Sequence, residues 1–424
     1  MKESKQAYAK RVAWFHQARF GMFIHWGLIS MSRGCWGQYH ERMPREVYAK
    51  FAQRFNPKKF DADAWAGLAA ETGMKYMVLT TRHHDGFCLW DSQVSDFTSV
   101  KTAAKRDFVA EYADACRRAG LKVGFYYSFL DWRFPGYFER RKYKKNAEAC
   151  AQQAHDQVRE LLTNYGKVDV LWFDGHWFQD KLEWIEKKPE AMVKFWRSNE
   201  LVAKIRKMQP HILINDRTGL RGDFDTPEQF VKPSDTGRAW ETCMSIGDNE
   251  AWSYFPHKVS RKYVWELLVY LVTTAMNEGN YLLNVGPTPD GVIPKEEEKR
   301  LREIGKWMKV NGEAIYGSKR APNFGNWNAF WTMKTDSTAH LNVLCWPGQE
   351  MVISPIATRI KSATMLATGQ KLKFRQEYNG RLVFPDLPKT SPDPYVSVIK
   401  VEFDGKFKVI AEKDKAAWID GKAR

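Results

Sequence analysis

The chain of 424 residues contains no uninterrupted apolar stretch near the roughly 20 residues that a membrane-spanning helix needs. Its first residues, MKESKQAYAKRVAWF, lack the apolar centre of a signal peptide. As written, the chain is expected in the cytoplasm, or in the periplasm or outside the cell if an export signal once preceded it. Six cysteines, at 35, 88, 116, 150, 243 and 345, form no CxxC pair and no regular spacing. Free thiols, several of them in the core, are expected rather than a disulfide framework. No His-Glu-x-x-His or comparable metal spacing is present. No GxGxxG or Walker-type loop follows any candidate strand, which argues against nucleotide binding.

What remains is a globular composition, 44% apolar with 18 tryptophans and a formal charge of +16. Basic density gathers at Glu139–Lys145 (ERRKYKK), but the excess is otherwise spread along the chain. No helix-turn-helix, RNA-binding or zinc-finger signature accompanies it. A solvated basic surface is expected, with neither nucleic acid nor membrane as partner. Flat tryptophan faces suit sugar rings, although most tryptophans belong in a core.

A recurring unit organises the first 290 residues: amphipathic helix, stopping glycine, apolar strand, polar residue. Asp61 or Asp63 caps a helix ending at Gly73, before MKYMVLTT. Asp107 caps the next, ending at Gly120 before LKVGFYYS, and a third stops at Gly166 before KVDVLWFDG. These glycines lie 47 and 46 residues apart. A helix through Met192–Met208 precedes HILIND, and another from about Ser260 to Glu278 precedes NYLLNV. With FGMFIHW and AWETCMS, at least seven strands are expected before residue 290. Buried strands alternating with helices indicate an α/β fold, a (β/α)8-like TIM barrel over residues 1–319. After about residue 320, short alternating segments between Gly, Pro, Asp and Asn clusters predict a C-terminal antiparallel β-sandwich domain over 320–424.

In such a barrel the working residues sit at the C-terminal strand ends. Those ends carry His25, His83 with His84, Tyr126 with Tyr127, Asp174, Asn215 to Arg217, Glu241 and Asn284. Asp174 is the sharpest candidate: it ends an apolar run, shares a strand face with Trp172, and precedes Gly175, whose missing side chain leaves room for a ligand. The plain alternatives are that Asp174 caps the next segment or pairs with an arginine. The histidine pair could bind zinc with Asp85 or Asp174, but adjacent strand residues diverge, and hydrogen bonding to hydroxyls fits better. Glycoside cleavage needs a second carboxyl group. Glu228, in the loop after NDR, and Glu241, on the following strand, both qualify, and physical reasoning alone leaves the choice open.

FGMFIHWG, KYMVLTTRHHDGF, GLKVGFYYS, DVLWFDG, NDR, TPEQ, WETCMSI and NYLLNVGPTPDG, in this order between about Trp14 and Ser318, resemble glycoside hydrolase family 29, the α-L-fucosidases. The resemblance implies an exo-acting enzyme that removes terminal α-L-fucose from glycans with retention of configuration and no cofactor or metal. It implies Asp174 as the nucleophile and Glu228 as the acid/base. Another branch of the family uses a glutamate resembling Glu241. His25, His83, His84, Tyr126 or Tyr127, Trp172 and Arg217 match positions that line the fucose pocket, as does the Cys35-Trp36 pair. Here the chain departs from the pattern: family members carry Glu-Trp, whereas Cys35 stands in the glutamate's place, and a thiol is a poor hydrogen-bond partner. The run Gly247–Tyr254 is also looser than the usual one. A fucose-binding protein without turnover and a related α-L-galactosidase are the alternatives. Self-association into a homo-oligomer is left open.

Overall fold

The computed structural model describes residues 3–410 apart from 178, 181–182, 185–188, 236, 248–251, 256–259, 323–327 and 378–379. Of the departure noted at Gly247–Tyr254, residues 248–251 lie outside these. The chain divides into two compact units, residues 1–262 with 280–303, and residues 263–279 with 304–424.

The first unit is built on eight parallel strands. They are β1 (Phe20–Ile24), β2 (Tyr76–Arg82), β3 (Lys122–Ser128), β4 (Val170–Asp174), β5 (Leu213–Ile214), β6 (Phe224–Asp225), β7 (Ala239–Ser245) and β8 (Asn280–Val285). Their order is β5-β4-β3-β2-β1-β8-β7-β6. A single parallel bridge between Asn215 and Phe224 joins the two end strands and brings the sheet to near closure as a TIM-like barrel. Inward side chains from every strand fill the interior, among them Phe23, Val78, Tyr126, Trp172, Leu213, Phe224, Cys243 and Leu282. Helix α1 (Lys5–Ala18) lies across the N-terminal strand ends, with Phe15 centred 5.7 Å from Tyr76 and 4.9 Å from Phe224.

The capped-helix units form as the sequence predicts. Asp61 Oδ1 accepts from Ala64 N at 3.0 Å at the start of α2 (Ala62–Glu71). Asp107 Oδ1 accepts from Ala110 N at 2.9 Å at the start of α3 (Phe108–Arg118). Each such cap contributes about 1 kcal/mol. Gly73, Gly120 and Gly166 all adopt left-handed backbone, as helix-stopping glycines do. Two helix expectations need correction. The helix expected through Met192–Met208 is two, Pro189–Phe195 and Ser198–Met208, separated where Arg197 turns left-handed at φ 49°. The helix expected from Ser260 runs only from Val264 to Met276. Strand β6, two residues long, brings the count to eight.

In the second unit the strands are antiparallel. Five form one sheet: Lys319–Arg320, Ala329–Thr335, Thr338–Val343, Ser397–Phe403 and Ile360–Met365, in that order. Three form another: Met351–Ile353, Leu382–Phe384 and Arg375–Gln376. Leu341, Ile399 and Val401 of the first sheet and Ile353, Leu382 and Phe384 of the second share one core. No described helix is long and apolar enough to cross a membrane.

Candidate active site

At the C-terminal end of the barrel, strand ends and their loops line a solvent-open cavity of about 420 Å³. Asp174 ends β4 and faces this cavity beside Trp172, two residues earlier on the same strand face. Its Oδ2 accepts from the Tyr126 hydroxyl at 2.9 Å and its Oδ1 from Arg217 Nη1 at 3.0 Å. Asp174 therefore does pair with an arginine, and it lines the cavity as well. Burial alone would raise its pKa. The positive charge of Arg217, the nearby His84 and the two hydrogen bonds outweigh that and hold the carboxyl below its ordinary value.

Arg217 follows β5 and is the cavity's cation. Its Nη2 donates to Glu228 Oε2 at 2.8 Å, so one guanidinium bridges Asp174 and Glu228. Its carbon lies 4.5 Å from the Trp172 ring centre, a cation–π contact, and its Nε donates to Thr226 Oγ1 at 3.1 Å. Glu228 sits in the segment after β6, yet this segment is pinned to β7. Gln229 N donates to Cys243 O at 2.9 Å, and Cys243 N donates to Pro227 O at 3.1 Å. The glutamate is thus carried on a strand-like bridge rather than on a loose loop.

Three imidazoles complete the polar wall. His25 Nδ1 lies 2.7 Å from Asn284 Oδ1, and Asn284 Nδ2 donates to Trp252 O at 2.6 Å. The amide orientation so fixed puts the histidine proton on Nδ1 and leaves Nε2 as an acceptor. His84 Nδ1 lies 2.7 Å from Ser128 Oγ, which itself donates to Leu130 O. Burial pushes His25 and His84 down to about 4 and His83 well below its ordinary value. All three are neutral at pH 7, so the 3.8 Å approach of His84 Nε2 to Asp174 is not an ion pair there. The His83 ring stacks on Tyr126 at 5.5 Å, and its Nδ1 has no partner among the described residues. This wall can receive sugar hydroxyls as proton donors beside one carboxylate.

The structure separates residues that the sequence left together. Tyr126 faces the cavity, whereas Tyr127, one residue on, points out of the barrel and donates to Gln157 Oε1 at 2.9 Å. Glu241 is not brought to the cavity. It points into the barrel one layer beneath Cys243 and is fully buried, with its carboxylate taken by the Tyr76 hydroxyl and by Trp172 Nε1 at 3.0 Å. Burial raises it to about 7 despite those two bonds. Cys35 and Trp36 both line the cavity, and burial pushes the Cys35 thiol up to about 12. Asp85 lies elsewhere, accepting from Tyr48 at 2.8 Å. Gly175 corrects an expectation: at φ 66° its missing side chain makes room for Ser128 and Leu130, not for a ligand, since a Cβ there would lie 2.6 Å from Ser128 Oγ. Among the described residues no three His, Cys, Asp or Glu side chains gather as a metal-ligand set. Phe23, Trp177, Cys243 and Trp252 also line the cavity and were not singled out. Phe23 was legible, being two residues from His25 on one strand.

The family model for alpha-L-fucosidase matches residues 1–313. Tissue alpha-L-fucosidase of Bos taurus is 33% identical over 432 residues, covering 92% of this chain and 88% of its own length. Among solved structures, alpha-L-fucosidase isoenzyme 1 from Paenibacillus thiaminolyticus superposes with a TM-score of 0.84 at 36% identity, over 94% of this chain and 100% of that one. An alpha-L-fucosidase of glycoside hydrolase family 29 from Bacteroides thetaiotaomicron, trapped as a covalent intermediate in complex with 2-fluoro-fucosyl fluoride, superposes with a TM-score of 0.84 at 27% identity, over 95% and 97%. The chain belongs to the alpha-L-fucosidase family and is a glycoside hydrolase.

Proposed function

We propose that this enzyme removes terminal α-L-fucose from glycans by double displacement, with Asp174 as nucleophile and Glu228 as acid/base. The observation that carries the reading is the shared guanidinium: Arg217 holds Asp174 at 3.0 Å and Glu228 at 2.8 Å at one cavity. In the first step an Asp174 oxygen bonds to the anomeric carbon as the glycosidic C–O bond breaks, and Glu228 gives its proton to the leaving oxygen. In the second, Glu228 takes a proton from water, whose oxygen displaces Asp174 and restores the original configuration. The trapped intermediate of the Bacteroides relative supports the covalent step. The neutral imidazole of His25, with Nε2 open, is suited to accept a hydroxyl proton of the sugar and orient the ring.

The experiment is hydrolysis of 4-nitrophenyl α-L-fucoside. Wild type should turn over with retention, and Asp174→Ala should lose at least about 10³-fold in kcat. Glu228→Ala should be slow and should regain turnover with azide, giving a glycosyl azide of retained configuration. Azide rescue of Glu241→Ala instead would reverse the assignment. Cys35 motivates a comparison with the matching α-L-galactoside, since a protonated thiol is a weak partner for a sugar hydroxyl. Faster turnover of the galactoside would change the sugar and leave the mechanism intact.

A further inference from the structure

Glu228 lines the cavity, and the residue after it holds a costly conformation. Gln229 adopts left-handed backbone at φ 63°, a region that non-glycine residues resist. Arg19, Arg42, Arg197 and Glu278 share that conformation, but each lies within two residues of a helix C-terminus, where such turns are common. Gln229 follows no helix. Strain of this kind persists only where the surrounding contacts impose it.

Those contacts come from β7. Gln229 Nε2 donates to Ser245 Oγ at 3.0 Å, and Ser245 N donates back to Gln229 Oε1 at 3.3 Å. A backbone N–H can only donate, so the amide oxygen faces it and the amide nitrogen faces the hydroxyl. That hydroxyl can accept, because Ser245 Oγ gives its own hydrogen to Gly247 O at 2.9 Å. Lys262 Nζ donates to Ser245 O at 2.9 Å and to Gly247 O at 3.0 Å, which fixes the strand end. Ser245 is fully buried, so its side of the clasp is shielded from competing water. The next side chain, Phe230, is 53% exposed and adds little burial to hold the turn.

We propose that Gln229 is the positioning residue of Glu228: the clasp of its amide on Ser245 sustains the left-handed turn that aims the carboxyl into the cavity. The assignment rests on the fucosidase reading above, with Glu228 as the proton donor. A donor set aside from the leaving oxygen costs rate mainly where the leaving group needs its proton.

The test compares kcat/KM, which reports the steps up to bond cleavage, for two substrates. Phenyl α-L-fucoside has a poor leaving group that needs protonation. The leaving group of 2-chloro-4-nitrophenyl α-L-fucoside departs largely without it. In Gln229→Ala the phenyl fucoside should lose at least about tenfold, while the chloronitrophenyl fucoside stays within about threefold. Gln229→Gly relaxes the turn but lacks the clasp, and should show the same imbalance. Wild-type values in Gln229→Gly would overturn the clasp, since the backbone alone would then suffice. Equal losses on both substrates in Gln229→Ala, or an unchanged phenyl fucoside, overturn the positioning role. Glu228→Ala, measured alongside, should show the imbalance at full size, about 10²-fold or more. If Glu228→Ala slows both substrates alike, the acid/base reading fails and the role of Gln229 falls with it. An imbalance in Glu228→Ala with none in Gln229→Ala removes the positioning role alone.

Discussion

The indole nitrogen of Trp172 donates to Glu241 Oε1 at 3.0 Å, beneath the cavity and not within it. This contact makes the glutamate a support for the aromatic wall. Glu241→Gln keeps an acceptor for Trp172, puts an amide nitrogen where an oxygen accepts from the Tyr76 hydroxyl, and removes the titration, so turnover of an aryl fucoside should stay within about tenfold of wild type. Stability should respond differently. Burial raises Glu241 to about 7, above the unfolded value, so the native state binds the extra proton between about 4.5 and 7. The glutamate's contribution is then fully present below about 4.5 and is lost as pH rises through 7. Thermal melting of Glu241→Gln across that window should decline less with pH than wild type does. An identical pH dependence would show that the carboxyl does not titrate there.

Arg217 joins the two carboxylates of the proposed mechanism, and its removal should be felt by both. With Arg217→Met, Asp174 keeps Tyr126 as partner but loses its principal positive neighbour. The depressed pKa should rise, moving the acid limb of the kcat/KM profile to higher pH. Loss of this positioned cation should also lower kcat/KM about 10²–10³-fold, the scale of removing one preorganised electrostatic partner. A pH–rate profile of the variant on the aryl fucoside checks both. An unmoved acid limb would mean that Arg217 does not govern Asp174.

Much of the fold was readable in advance because its signals are local. Caps and stopping glycines depend on a few neighbouring residues, and Asp61, Gly73, Asp107 and Gly120 all fall where the sequence predicts. The eighth strand was not legible, because Phe224–Asp225 is too short to set up a periodicity. Strand alternation points both Glu241 and Cys243 inward but does not give their height in the barrel. That depends on strand stagger, a property of the closed sheet. The Tyr126–Tyr127 choice needed one further fact, that Gln157 on the helix Lys144–Asn164 waits outside for the second hydroxyl.

Histidine protonation should set the acid tolerance of the fold. His25 is pushed down to about 4 by burial, with the Asn284 bond and the Asp174 charge opposing. An unfolded histidine titrates near 6.5, so between about 6.5 and 4 the unfolded chain binds the extra proton. Stability should accordingly fall as pH drops through that window. Replacing His25 with Gln removes this contribution, at most about 3 kcal/mol, and should flatten the urea-midpoint dependence between pH 6.5 and 4. The same variant should lose at least about tenfold in kcat/KM, since Nε2 no longer accepts. Equal slopes for the two proteins would show that His25 is already charged in the native state.

Gly175 distinguishes room for the fold from room for a ligand. A methyl group here would lie 2.6 Å from Ser128 Oγ and 2.9 Å from Leu130 N, at a backbone φ of 66° that L side chains resist. Neither neighbour can yield freely. Ser128 Oγ is the partner of His84 Nδ1, and Phe129 N donates to Asp174 O at 2.8 Å. Displacing Ser128–Leu130 would therefore disturb the orientation of Asp174 and of His84 together. Gly175→Ala should lose about 1–3 kcal/mol in denaturant unfolding. Its kcat should fall along with kcat/KM, because the nucleophile is displaced before substrate enters. A variant of unchanged stability with only a raised KM would instead mean that the glycine makes space for the sugar.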